Sequence, residues 1–217
     1  MAASRFVERD SGTYVLYPGF TALDVVGAFQ VLAAAPGVDP VFVALEPGPV
    51  RDDSGHCPLQ ATLGVADVVS ADVIVVPGSD QTIEPDDSIL AWLGRMHPGT
   101  SWTVSVGSGS LILAAAGLLE GGEATTHWAS AERLHLLGVR YSTERVVRHE
   151  KVITAAGSAA GIDLALTLVG LTHGPAVAQA IQMAIQGDPE PPFDAGSPAK
   201  APAQVGELVR AYYNCRS

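Results

Sequence analysis

Asp24, His127 and the turn Gly107-Ser108 are the places in this 217-residue chain where residue type and spacing offer chemistry. Trp102 to Val106 reads as a short buried strand that runs into Gly107-Ser108-Gly109-Ser110 and then into an apolar helix, Leu111 to Leu119. Strand, tight turn and helix in that order form the layout of a nucleophile elbow. In such an elbow a sharp bend lifts one side chain above a sheet and aims backbone N–H groups at a reacting oxygen. The raised position here is Gly107, which has no side chain. Chemistry at that spot therefore runs without a covalent nucleophile, or the chain no longer performs any.

Asp24 lies between Leu23 and Val25-Val26, an acid flanked by apolar side chains near the start of a helix. Burial there raises a carboxyl pKa and suits it to giving or taking protons near neutral pH. The plain alternative is an acid that stabilises the first turn through the helix dipole. Ser108, with His127 as base, offers a displaced nucleophile; glycine-flanked serines are also ordinary turn residues. His127 beside Trp128 reads either as a catalytic partner or as a strand-end histidine packed on an aromatic ring. Ser158 and Ala159 belong to a small-residue stretch that either lines a pocket or lets a helix sit close to a sheet. Without GxGxxG or GxxxxGK[ST] the glycine-rich stretch gives only weak support to nucleotide binding.

The elements that must position these groups alternate. Strands are expected at Tyr14 to Tyr17, Val41 to Leu45, Val73 to Val76, Trp102 to Val106 and Glu123 to Thr126, with a pair at Arg145 to Arg148 and Val152 to Ala155. Helices are expected at Ala22 to Ala35 (with Leu23, Val26, Gln30 and Ala33 in period), Ser88 to Met96, Ala129 to Leu136, Gly161 to Gly170, Pro175 to Ile185 and Gln204 to Tyr213. A turn-rich excursion fills Glu46 to Ala61, and Asp188 to Phe193 reads as a rigid extended linker. Alternation of this kind predicts one three-layer α/β domain over residues 1–217 with a mostly parallel central sheet. Ligands of such sheets bind beyond the carboxyl ends of the strands. Five turns converge on that edge: Pro18-Gly19-Phe20, Pro77-Gly78-Ser79, Gly107-Ser108, His127-Trp128 and Gly157 to Gly161.

A formal charge of −11, from 12 basic and 23 acidic residues, argues against nucleic acid and anionic membrane as partners. Neither a signal-peptide core nor an apolar run of about 18 residues is present, so a cytoplasmic protein is expected. Cys57 and Cys215 show no disulfide or metal spacing; Cys57 falls in a polar turn and is expected to be an exposed thiol, and Cys215 is expected to fray. The six histidines show no HxH or HExxH spacing, and no metal or organic cofactor is required.

Taken together, several blocks resemble the ThiJ/PfpI superfamily and, within it, the isocyanide hydratases. They are Tyr17-Pro18-Gly19-Phe20 with Leu23-Asp24-Val25-Val26-Gly27, Val75-Val76-Pro77-Gly78, Ser105 to Ser110 with Ala114 to Leu119, Ala124 to Trp128, Glu144 to Arg148, Ala160 to Asp163 and Pro191 to Pro198. The resemblance implies a flavodoxin-like sandwich, a homodimer with its active site near the interface, and hydration of an isocyanide to an N-formamide. In that family a cysteine thiolate attacks the isocyanide carbon, and an acid at the Asp24 position assists proton transfer. Gly107 stands in place of that cysteine. Ser79, Ala28, Ser158-Ala159 and Gln186-Gly187 also depart from the pattern, several of these changes being towards smaller residues around the pocket, which implies a larger cavity.

The expectation is then a hydratase-like lyase, isomerase or cyclase in which Asp24 and His127 move protons. Gly78, Ser79, Gly107, Ser108, Trp128, Ser158 and Ala159 bind a small, mostly apolar substrate or its oxyanion. The alternatives are a non-catalytic small-molecule-binding protein and an isocyanide hydratase that has simply lost its nucleophile.

Overall fold

A computed structural model describes residues 10–81 and 86–214. Its centre is a seven-stranded sheet built from β1 (Asp10–Val15), β2 (Val38–Ala44), β5 (Leu63–Gly64), β6 (Val73–Val76), β7 (Trp102–Val106), β10 (Val146–His149) and β11 (Val152–Ala155). The spatial order is β10-β11-β7-β6-β1-β2-β5, and every pairing is parallel except β10 with β11. The excursion after β2 contains a small antiparallel hairpin, β3 (Gly48–Val50) with β4 (Leu59–Ala61). β8 (Glu123–Ala124) and β9 (Arg140–Tyr141) form a second two-stranded ribbon.

The sheet is a flavodoxin-like α/β sandwich with helices on both sides. From β1 the chain moves outward to β2 through α1 (Ala22–Leu32), and from β6 it moves the opposite way to β7 through α2 (Asp87–Met96). Right-handed crossovers running in opposite directions place their helices on opposite faces. α1 packs against α5 (Ser158–Thr172), which carries α6 (Pro175–Ala184), while α2 meets α3 (Gly109–Ala115), which in turn meets α4 (Ala131–Leu136). The last helix is α7 (Ala203–Asn214). The reversal of direction opens a crevice between the carboxyl ends of β1 and β6, where sheets of this kind bind ligands.

Local chemistry explains the well-placed elements. Val73–Val76 and Trp102–Val106 keep their expected limits because central parallel strands are covered on both faces, and Ile74, Val75, Val76, Val104 and Val106 are all fully buried. The β10-β11 pair forms as expected, across a tight turn in which Glu150 takes a left-handed φ of 53°.

Other limits differ. The first strand is Asp10–Val15 rather than Tyr14 to Tyr17, and α1 stops at Leu32 before Pro36. The elbow helix begins at Gly109 and ends at Ala115, ahead of Gly117 with a φ of 76°. α5 starts at Ser158, three residues before Gly161. The face of α1 is also corrected. Asp24, Val25, Ala28 and Val31 point inward, whereas Leu23 and Val26 are 53% and 40% exposed. Cys57 is an exposed free thiol, and Cys215 lies outside the described residues.

Among the described residues no helix is long and apolar enough to cross a membrane.

Candidate active site

Asp24 enters the crevice from the first turn of α1. Its side chain is 3% exposed. The Gly78 amide, in the loop after β6, donates to Oδ2 at 2.8 Å, and the Thr21 amide donates to the Gly78 carbonyl at 2.8 Å, so the two loops are stitched across the switch point. Oδ1 is buried with no hydrogen-bond partner among the described residues. Burial raises the carboxyl pKa to about 6, with smaller upward pushes from Asp80 and Asp53; the Gly78 amide and the nearby Ser158 hydroxyl pull the other way. The Ser158 contact falls short of hydrogen-bond geometry, so the orphan oxygen remains the defining feature of the group.

Gly107 sits directly above this carboxyl. Its φ is 58°, the left-handed conformation that an elbow needs. A Cβ there would stand 3.0 Å from Asp24 Oδ2. With glycine in place no side chain comes between that backbone and the acid.

Both groups face a cavity of about 990 Å³, at the upper end of the size range for small-molecule sites. Asp24, Ser79, Gly107, Ser108, His127, Trp128, Ser158 and Ala159 all line it; of the expected site residues only Gly78 does not, because Asp24 covers its amide. The amide donors expected for an oxyanion are mostly committed elsewhere. Gly107 N–H donates to Ala155 O at 3.0 Å as a continuation of the sheet, Ser79 N–H donates to Ser108 Oγ at 2.9 Å, and Gly78 N–H serves Asp24. The Ser108 amide takes no acceptor among the described residues. The amides of Ser158, Ala159 and Ala160 precede the first bond of α5, Gly161 N–H to Gly157 O at 3.1 Å, and present the positive end of a 15-residue helix to the cavity.

Ser108 and His127 line the same cavity without bonding to each other. The Ser108 hydroxyl accepts from the Ser79 amide and donates to the Ser79 carbonyl at 3.0 Å, so it clamps the β6 loop to the elbow. Ser108→Ala is expected to cost about 1 to 3 kcal/mol in urea unfolding, the usual result of orphaning such partners. Turnover is expected to stay within about tenfold of the parent, whereas a serine nucleophile would lose about a thousandfold or more.

His127 Nδ1 accepts from the Ala129 amide at 3.4 Å, which makes Nε2 the protonated nitrogen of the neutral ring. Burial lowers its pKa, and nearby Asp80 opposes that shift.

Two contributors carry no local signal in the sequence, and a third, Asp80, does. Tyr213 of α7 packs its ring on His127 at 5.2 Å and donates to Asp80 Oδ1 at 3.5 Å, and Arg210 lies 5.6 Å from the Trp128 ring. Asp80 follows the expected Pro77-Gly78-Ser79 turn and could have been added as the next polar residue. Among the described residues no cluster of three or more His, Cys, Asp or Glu side chains could hold a metal.

The DJ-1/PfpI family pattern matches residues 13–171. The chain belongs to the DJ-1/PfpI family. This DJ-1/PfpI protein is 38% identical over 199 residues to the isonitrile hydratase of Pseudomonas putida, covering 91% of this chain and 87% of that one. The crystal structure of a ThiJ/PfpI family protein from Pseudomonas syringae superposes with a TM-score of 0.88 at 33% identity, covering 95% of this chain and 88% of the other. The HTH-type transcriptional regulator CdhR of Pseudomonas aeruginosa is 27% identical over 173 residues, which are 76% of this chain and 51% of the regulator. The chain is thus an isonitrile hydratase-like member of the DJ-1/PfpI family.

Proposed function

We propose that this protein is an enzyme of the isonitrile hydratase scaffold that works without a covalent nucleophile, Gly107 occupying the position that a cysteine holds in its relatives. Asp24 is its general acid/base, and the substrate is a small, mostly apolar organic molecule. The observation that carries this reading is the unpartnered Oδ1 of a buried carboxyl whose other oxygen faces a backbone position that carries no side chain. A carboxylate there takes a proton from water, or from a hydroxyl or amine of the substrate itself, as that atom adds to an electrophilic centre above Gly107. Negative charge on the acceptor meets the Ser108 amide and the first-turn amides of α5. The acid then returns its proton. Neutral His127, with its proton on Nε2, is a second donor to the same space. Hydration, its reverse, isomerisation and cyclisation all reduce to these steps.

The test is a panel of electrophilic and cyclisable small molecules incubated with the parent protein and with Asp24→Asn, read by mass spectrometry and chromatography. Turnover that survives loss of the carboxyl removes the proposal. A ligand that binds and leaves unchanged in mass and retention supports a binding protein instead, in line with the similarity to a regulator.

The second reading, a hydratase that has merely lost its sulfur, is favoured by one feature of the geometry: a side chain at position 107 would still point at Asp24. Gly107→Cys decides between them. We expect the left-handed φ and the crowding at 3.0 Å to cost about 1 to 2 kcal/mol of stability, and no isonitrile hydration to appear. Formamide production in that one step would establish the second reading.

A further inference from the structure

One stretch of the cavity lining alternates. Tyr141, Thr143 and Arg145 line the cavity, and the intervening Ser142 and Glu144 do not, so three side chains at every second position face one space. All three carry donors that the described residues leave unspent. The Tyr141 hydroxyl and Thr143 Oγ make no hydrogen bond among them, and burial raises the Tyr141 pKa, which keeps the phenol protonated. Arg145 donates through Nε to Asp163 and keeps both terminal amino groups available. Arg133 lines the same cavity. A chain of net charge −11 has only 12 basic residues, and two of them line this one cavity. Asp80 and Asp24 line the cavity too and repel an anion from their own side.

We propose that Tyr141, Thr143 and Arg145 form an anion subsite that holds a carboxylate of the substrate and so directs its reactive end to Asp24. A planar guanidinium with two free amino groups matches a carboxylate, and two hydroxyl donors occupy its remaining lone pairs. A single negative charge suits the site better than a phosphate dianion, because Asp163 already neutralises part of Arg145. The subsite rests on the cavity being the substrate site, as in the function proposed above.

Isothermal titration calorimetry of the full chain with 4-phenylbutyrate, its neutral amide and phenyl phosphate at pH 8 tests it. The acid is expected to bind at least about tenfold more tightly than the amide, as a charge-assisted bond requires. In Arg145→Gln that ratio falls below about threefold. Tyr141→Phe, which leaves the Arg145–Asp163 pair in place, lowers it by a smaller factor, and thermal melting reports whether each variant is folded. Equal binding of acid and amide, no binding of either, a ratio unchanged in both folded variants, or tighter binding of the phosphate overturns the subsite. Those results leave Asp24-dependent turnover untouched, so the two proposals fail separately.

Discussion

Asp24→Asn is expected to lose turnover by about a hundredfold to ten-thousandfold, the range that a general acid/base supplies, and at the same time to gain stability. The two effects share a cause. A carboxyl whose pKa stands at about 6 in the folded protein and 3.8 in the unfolded chain binds its proton more tightly when folded. Below pH 3.8 the group is neutral in both states and changes nothing. As pH rises from there through 6 the folded state holds the extra proton and stability falls, levelling off once the carboxylate is charged in both. A rise of that size corresponds to up to about 3 kcal/mol, which the neutral amide of asparagine avoids. Urea unfolding at pH 5 and pH 8 checks this: the variant should exceed the parent at pH 8, and the gap should narrow at pH 5. The helix-dipole reading of Asp24 predicts the opposite sign, a loss of about 0.3 to 1 kcal/mol. In turnover, the parent should show an ionisation near pH 6 that the residual activity of the variant lacks.

The largest structural effect is expected at Gly109 rather than at any polar residue. A Cβ there would lie 2.4 Å from the Val76 carbonyl and 2.7 Å from that of Pro77, both backbone atoms at the end of a central strand. No rotamer change relieves such contacts. Gly109→Ala is expected to lose about 3 to 5 kcal/mol or to fail to fold, judged by circular dichroism and urea titration. Gly94 in α2 is the control, since nothing lies within 4 Å of its Cβ position. Gly94→Ala should stabilise by about 0.5 to 1 kcal/mol. Equal effects at the two positions would mean that the elbow is not packed as described.

The sequence made the sheet readable because its central strands are buried on both faces and so are written as unbroken apolar runs, Val73 to Val76 above all. Asp24 was readable for the converse reason, a charge set among such residues. The face of α1 was not, since Leu23 and Val26 keep the helical period while facing outward. The hairpin at Gly48–Val50 and Leu59–Ala61 is too short to show alternation. The contribution of α7 was also hidden. Tyr213 reaches His127 only through tertiary folding, and nothing local in either segment announces the contact. The partners of the amides were not legible for the same reason, because what accepts from Gly107 or Ser79 depends on residues far away in the chain.

The chain's three tryptophans occupy different surroundings: Trp92 is fully enclosed, Trp102 lies under the Arg148 guanidinium, and Trp128 forms part of the cavity wall. Occupancy of the cavity therefore changes the environment of a single indole, and the protein carries its own fluorescent reporter. Emission from that ring can follow the arrival of an unlabelled compound in real time, even one that undergoes no reaction.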